Sequence, residues 1–412
     1  MKKKEMHWLF IQPSVFVHNY RTEMLLYNTK SGANLVTDNK WLIDLVKELY
    51  FPESLGVLSV DQDDIFDKLD QINISHLFFG DFFGIIKKDS STKPLNLLPI
   101  LSLNQDLERN SNIPIEALNN LIQLNIYITN ECNLGCNHCK DIHNQMYSCT
   151  KYIPNGILPM EIFNKILSQC EFSNLSQVSL SGGNVFLHPY LEEMVSALNQ
   201  KSIHVQIVTS ITHYLDNVDR INKSVLCESN FLVIIDDSSI GLLSFMKDRS
   251  KNRREVFIYI VSSEESLAKY NKLANEYEEL ELTPYPIYNG NNLDFLINNV
   301  YITTESVFNC KHDFRSIFCN QKINSNFYGS LIIFPDASVR SALNSKVIGN
   351  LEYEDLSKMI DQEIRKGNTW RLVRNKQEPC KDCLFRDLCP PISDLEMCVE
   401  RYDLCTLKHI PN

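Results

Sequence analysis

Three cysteines, Cys132, Cys136 and Cys139, stand within eight residues, on a stretch that follows the apolar run Leu124 to Ile128. Thiolates are soft donors, and three on one loop can hold three corners of an iron–sulfur cube. A fourth iron would then lack a protein ligand, free to bind a small molecule and pass it an electron. A structural zinc site asks for four protein ligands, so zinc would have to borrow His138 or His143. Buried cysteines gathered by chance are the third reading.

A second array lies near the carboxyl end, where Cys380, Cys383, Cys389, Cys398 and Cys405 fall within 26 residues with little apolar sequence around them. Such a segment needs a metal to fold. Tetrahedral zinc and a 4Fe-4S cluster both suit four thiolates. Cys149, ten residues past the first loop, reads as a radical donor, a substrate-capturing thiol or an apolar filler, the last favoured. Cys170 and Cys227 fit core positions.

The elements that must position these groups follow from composition and pattern. The 412 residues are 44% hydrophobic and 22% charged, which suits a globular chain of two to four domains. The formal net charge of −11 argues against nucleic acid and anionic membrane surfaces as partners. Thirteen cysteines without a signal-peptide pattern point to a reducing, cytoplasmic setting. There is no apolar run of membrane-spanning length.

From Leu124 to about residue 299 strands and helices alternate. Strands are expected at Leu124 to Thr129, Gln177 to Leu180, His204 to Thr209, Phe231 to Ile235, Val256 to Val261 and Glu281 to Tyr285. Helical faces fall between them at Phe163, Ile166, Leu167 and Cys170, at Leu191, Met194, Val195 and Leu198, and at Leu267, Tyr270, Ala274 and Tyr277. Six repeats imply a parallel sheet curling into a partial, TIM-like (β/α)6 barrel, whose site sits at the carboxyl ends of its strands. The first cysteines follow the first strand. Gly182 and Gly183, then Asn184, follow the second, where a glycine pair lets backbone N–H groups approach a small ligand or simply makes a turn. Thr209 ends the third strand. Asp236 ends the fourth, either facing a ligand or capping a helix.

Residues 1 to about 85 read as three short strands, including Glu23 to Asn28, followed by helices after Asp38 and after the acidic run Asp61 to Asp64. Residues 86–120 read as a polar linker.

The Cys132–Cys139 stretch resembles the signature of radical S-adenosylmethionine enzymes, with an aromatic, here His138, just before the last cysteine. The resemblance implies a 4Fe-4S cluster on Cys132, Cys136 and Cys139, with S-adenosylmethionine chelating the open iron. It implies hydrogen abstraction by a 5′-deoxyadenosyl radical, and an external reductant such as flavodoxin or ferredoxin. Gly182, Gly183 and Asn184 resemble the family's Gly-Gly-Glu-Pro segment, which holds the amino group of that cofactor; Asn184 replaces its Glu and Val185 its Pro. By the same resemblance Thr209 and Asp236 belong to the cofactor site, Asp236 meeting the ribose. Residues 1–85 resemble the winged-helix-like peptide-recognition domain of enzymes that modify ribosomally made peptides. Such domains add a precursor's leader as an extra strand on an exposed edge, here the run Met24 to Asn28.

Residues 306–412 resemble the Cys-rich auxiliary-cluster (SPASM) domain of peptide maturases, most of all the maturase-like proteins of Bacteroidales peptide systems. One centre, a second 4Fe-4S cluster or zinc, is then expected on Cys380, Cys383, Cys389 and Cys405, with Cys398 as the alternative ligand. Ala342 and Ser393 stand where the family has cysteines, and Cys310 and Cys319 are left over. The implied activity is modification of a precursor peptide by a thioether or carbon–carbon crosslink, or by epimerisation. The alternative is a degenerate relative, without catalysis, that escorts the peptide to a partner maturase. The barrel proper is expected over residues 121–305.

Overall fold

β7 (Gln123–Thr129) shows how the central sheet arises. Leu124, Ile126 and Ile128 are buried on one face in the main core, and Gln123, Asn125, Tyr127 and Thr129 alternate onto the other. The same period of two runs through β8 (Gln177–Gly182), β9 (His204–Ser210), β10 (Asn230–Ile235), β11 (Glu255–Val261) and β12 (Glu281–Pro286). The apolar outer face is covered by the helices Met160–Gln169, Leu191–Gln200 and Glu264–Glu276. Each fully buried Leu, Ile or Phe there contributes about 1.5–3 kcal/mol. The six strands run parallel in the order β12-β11-β10-β9-β8-β7. This is a computed structural model, and it describes residues 6–72, 80–88, 93–96, 117–246, 254–300 and 302–407.

The sheet does not stop at six strands. β13 (Ser330–Ile333) lies parallel to β7, from Ser330 beside Gln123 to Ile333 beside Ile126. β14 (Ser338–Arg340) and β15 (Val347–Asn350) extend it antiparallel to nine strands. The expected boundary between residues 305 and 306 therefore misses the real organisation, because the carboxyl-terminal segment supplies a third of the central sheet. Tyr127 and Phe334 stack across this junction at 5.2 Å.

The amino-terminal part holds two small antiparallel sheets. β1 (Met6–Ile11) lies between β5 (Val57–Asp61) and β6 (Phe83–Lys87), and β3 (Glu23–Asn28) lies between β2 (Val15–Tyr20) and β4 (Asn34–Thr37). Helices Lys40–Tyr50 and Gln62–Gln71 pack against them, and the first is capped by Asn39 rather than Asp38. The expected edge run Met24 to Asn28 is thus a central, buried strand. The turn at Ser31 and Gly32 sends Asn34–Thr37 back along it, so β2 and β4 carry the two edges of this sheet. Asn96 donates to the Ile11 carbonyl at 2.8 Å, which fastens residues 93–96 to this part. Of the expected linker, residues 89–92 and 97–116 lie outside the described residues.

β3 has two buried faces. Met24 and Leu26 join the amino-terminal core, while Leu25 and Tyr27 join Phe16 in a second core with Val307, Ile317, Leu384, Leu388 and Cys389. His18 Nδ1 meets the Leu384 carbonyl at 2.7 Å, and the Tyr27 hydroxyl accepts from the His312 N–H at 3.2 Å. The amino-terminal part therefore docks on the cysteine-rich segment. Among the described residues no helix is long and apolar enough to cross a membrane.

Candidate functional site

The chain leaves β7 at Thr129 and forms the cysteine loop before a short helix, Cys139–Ile142. Cys136 is exposed, Cys132 half-buried and Cys139 buried. Backbone and neighbours hold the loop in place. The Leu134 N–H donates to Cys132 Sγ at 3.4 Å, and Thr150 Oγ1 lies 3.4 Å from Cys139 Sγ while donating to the Cys139 carbonyl at 3.2 Å. Asn133 Oδ1 accepts from Asn184 Nδ2 at 3.4 Å and faces His213 Nε2 at 2.9 Å, so the loop is tied to the ends of β8 and β9.

A cavity of 200 Å³ opens beside the loop, and Cys136, His138, Cys139, Cys149, Ser210 and Asp236 are among its walls. Burial lifts the Cys136 thiol to about 11, with the charges of Asp236, Cys139 and Cys132 adding to the effect. Burial also raises Cys132, against the pull of the Leu134 N–H. Cys149 is also raised well above the ordinary thiol range, first by burial and then by the three loop cysteines. Without metal these groups are thiols at neutral pH, so metal loading must displace protons.

Among the described residues no three His, Cys, Asp or Glu side chains close on a single ion. His143 Nδ1 is turned to the Lys140 carbonyl, which fixes the ring and leaves Nε2 as its free donor atom. Three thiols of one loop, beside a cavity and tied down by their neighbours, are a donor set that suits a cubane with one open corner.

The glycine pair has a different cause from the one expected. Gly182 adopts φ +131°, and a Cβ on it would overlap the Thr129 carbonyl; a Cβ on Gly183 would overlap the Glu131 carbonyl. Gly183 N–H donates to the Thr129 carbonyl at 2.9 Å, and Asn184 N–H to the Glu131 carbonyl at 2.6 Å. These N–H groups are spent on the cysteine loop, so the glycines let β8 press against it. Any contact to an ammonium would have to come from carbonyl oxygens. The Asn184 side chain caps the next turn at Phe186 N–H, 3.2 Å away, besides reaching Asn133.

Thr209 does not reach the cavity. It is fully buried and donates to the Ser210 carbonyl at 3.3 Å. One residue on, Ser210 lines the cavity together with Thr212, as the two-residue period of β9 requires. Asp236 does line it. One of its carboxylate oxygens accepts from the backbone and hydroxyls of Ser238 and Ser239, at 2.6–3.1 Å, so it also caps the following turn. Ser238 and Ser239 add further hydroxyls to the wall. Cys149, read as filler, lies against the apolar cluster of Ile142, Ile234 and Ile260 and also faces the cavity.

Four cysteines of the second array lie close together. Cys380, Cys383, Cys389 and Cys405 surround one small space of 10 Å³, with Arg374 and Arg386 beside it. That is about the room of one water. Cys398 instead accepts from Asn144 Nδ2 at 3.2 Å, away from the quartet. Ala342 packs with Phe327 and Trp370, and Ser393 caps the helix Asp394–Val399. Cys310 and Cys319 line a separate cavity of 520 Å³.

No family model matches the chain, and no curated protein matches it in sequence. Solved structures do match. SuiB of Streptococcus suis bound to S-adenosylmethionine is 15% identical, over 97% of this chain and 100% of that one, with a TM-score of 0.43. SuiB bound to its precursor peptide SuiA is 14% identical, over 97% and 100%, with a TM-score of 0.45. The protein anSMEcpe with bound AdoMet is 14% identical, over 65% and 88%, with a TM-score of 0.42. At such identities and scores, function has to be read from this chain's own residues.

Proposed function

We propose that this chain is a radical S-adenosylmethionine enzyme that modifies a ribosomally made precursor peptide. The observation that carries the reading is the loop of Cys132, Cys136 and Cys139 at the carboxyl end of a parallel strand, beside a cavity walled by hydroxyls and Asp236. A 4Fe-4S cluster held there by Cys132, Cys136 and Cys139 would supply one-electron reduction of S-adenosylmethionine, with a flavodoxin or ferredoxin as the electron source, and so hydrogen-abstraction chemistry.

Cys132, Cys136 and Cys139 would hold that cluster. Ser210, Thr212, Ser238 and Ser239 offer hydroxyls to a ribose-bearing ligand, and Asp236 has a second carboxylate oxygen to offer. Ile142, Ile234 and Ile260 form an apolar wall that keeps water from the reacting carbon. The quartet Cys380, Cys383, Cys389 and Cys405 holds a second 4Fe-4S cluster or a zinc ion. The outer edge of β4 takes the leader as an added strand. The bond formed would be a thioether or carbon–carbon link, or the outcome an epimerised residue.

Anaerobically reconstituted protein with dithionite and S-adenosylmethionine should release 5′-deoxyadenosine, and changing Cys132, Cys136 and Cys139 together to Ala should abolish it. One observation favours the escort reading: Asn184 brings no charge to a cofactor ammonium, and its amide is engaged within the chain. Release from wild type no greater than from the triple variant would decide for the escort. In either case the full-length chain should bind the amino-terminal half of a precursor encoded beside it at about micromolar affinity, and titration calorimetry with no heat for any such peptide would remove the leader role.

A further inference from the structure

The inner face of the central sheet is graded. Its middle is apolar, where Val208, Ile234, Ile258, Ile260 and Ile287 pack with Met146. Toward the amino ends of the strands it turns polar, with Gln123 and Asn125 on β7, Ser179 on β8, Gln206 on β9 and Ser330 on β13. These polar side chains line a cavity of 380 Å³, separate from the one beside the cysteine loop. They support one another: Gln123 Nε2 donates to Asn125 Oδ1 at 3.2 Å, Asn125 Nδ2 to Ser330 Oγ at 3.2 Å, and Ser179 Oγ to Gln206 Oε1 at 3.3 Å.

Two buried groups stand at this cavity. The Tyr147 hydroxyl is buried at its wall beside the Ser330 hydroxyl. Asp394 is 9% exposed and is the sole ionisable acid or base, apart from tyrosines, among the lining residues. It receives the Leu343 N–H at 3.0 Å and is also held by the Asn344 backbone and side-chain amides, but these are neutral donors, and no lysine, arginine or histidine lines the cavity with it. A buried carboxylate without a cation is costly. The wall would repel an anion, and an apolar guest would strand its amides and hydroxyls. A cation that brings several N–H donors would satisfy both the carboxylate and the free acceptors.

We infer that this cavity takes the ammonium or guanidinium side chain of a lysine or arginine in the substrate, with Asp394 as its counter-ion. The substrate part rests on the peptide reading above, but the cavity's selectivity does not. Burial keeps the Asp394 proton bound until about pH 7, which is what a carboxyl awaiting a cation should do.

The test uses the full chain, reconstituted with metal so that the cysteine-rich segment carrying Asp394 is folded, and needs no S-adenosylmethionine. The probes are lysine capped as N-acetyl-lysine N-methylamide, the same derivative of norleucine, and the same derivative of arginine. Saturation-transfer NMR at pH 8 should show the lysine or arginine probe bound and the norleucine probe bound much more weakly. Asp394→Asn should weaken the cationic probe at least about tenfold and leave the norleucine probe unchanged. Tyr147→Phe, which removes only a hydroxyl, should weaken the cationic probes several-fold. Wild type that binds norleucine as well as lysine and arginine, or an Asp394→Asn protein that binds the cations undiminished, overturns the inference. A chain that takes the cations but never cleaves S-adenosylmethionine would keep this site and lose the radical chemistry. One that cleaves the cofactor and ignores the cations would do the reverse.

Discussion

Changing Arg374 to Met should cost the folded chain about 3–5 kcal/mol, the usual penalty for stranding one half of a buried ion pair. Arg374 and Glu396 are 5% and 1% exposed. The guanidinium grips both carboxylate oxygens at 2.9 and 3.2 Å, and also donates to the carbonyls of Pro390 at 2.6 Å and Tyr402 at 2.7 Å. One side chain thus joins three stretches that carry the cysteine quartet, and it lies 3.9 Å from Cys380 Sγ. Its charge pulls the Cys380 and Cys389 thiols down, against the burial that raises them. Methionine would leave the Glu396 carboxyl buried, with only the Ser393 backbone and hydroxyl to answer it among the described residues. Thiolates at the centre would lose a positive neighbour as well, so metal content should fall together with stability. Replacing both partners, Arg374→Met with Glu396→Leu, should recover most of the stability but not the metal. Urea unfolding and metal analysis of the single and double variants check this, and a single variant within about 1 kcal/mol of wild type would show that the pair carries little.

The six parallel strands and their helices were legible because their signal is local. Apolar residues recur every second position in β7 to β11 and at helical spacing between them. The pairing of β13 with β7 was not legible. It joins segments about two hundred residues apart, and a four-residue run such as Ser330–Ile333 carries no sign of its partner. The same holds for β4, whose four residues make β3 a central strand. At the first helix the choice between Asp38 and Asn39 as cap was lost for a simpler reason: both types cap well, and only the backbone decides.

In the site, spacing was informative and phase was not fully used. The two cysteine groups stood out because soft ligands cluster, and the quartet includes Cys405 in preference to Cys398. Thr209 was one residue off, since in β9 the inner positions are Gln206, Val208 and Ser210. Reading that alternation strictly would have found Ser210. It would also have exposed the polar inner set of Gln123, Asn125, Ser179 and Gln206, an anomaly beside outer positions such as Leu124, Ile126, Val178, Leu180, Val205 and Ile207. The role of Gly182 and Gly183 could not be read, because the crowding comes from the loop after β7 rather than from their own neighbours in sequence.

Asp394→Asn should stabilise the chain at pH 8 by on the order of 2–4 kcal/mol and have little effect at pH 4. Burial raises this carboxyl from its ordinary 3.8 to about 7 in the folded chain. Below about pH 4 both folded and unfolded chains hold the proton, and the group costs nothing. Between about pH 4 and pH 7 the unfolded chain releases it and the folded chain does not, so stability falls with rising pH, by about 1.4 kcal/mol per unit of displacement. Above pH 7 the penalty is complete, because the carboxylate is then charged inside the cavity. Asparagine can still accept the Leu343 N–H and cannot ionise, so this slope should vanish in the variant. The tyrosines of the same cavity, Tyr147 and Tyr285, are pushed above the ordinary phenol range by burial and do not titrate in this window. The buried histidines His18, His188 and His213, all lowered by burial, titrate alike in both proteins and cancel in the difference. Thermal melts of both proteins from pH 4 to pH 8 check this. Curves that stay parallel across the range would mean that Asp394 reaches water or a cation in the folded chain. Capped lysine added at pH 8 should raise the wild-type melting temperature toward that of the variant and leave the variant where it was, because the cation offsets a penalty that asparagine never incurs.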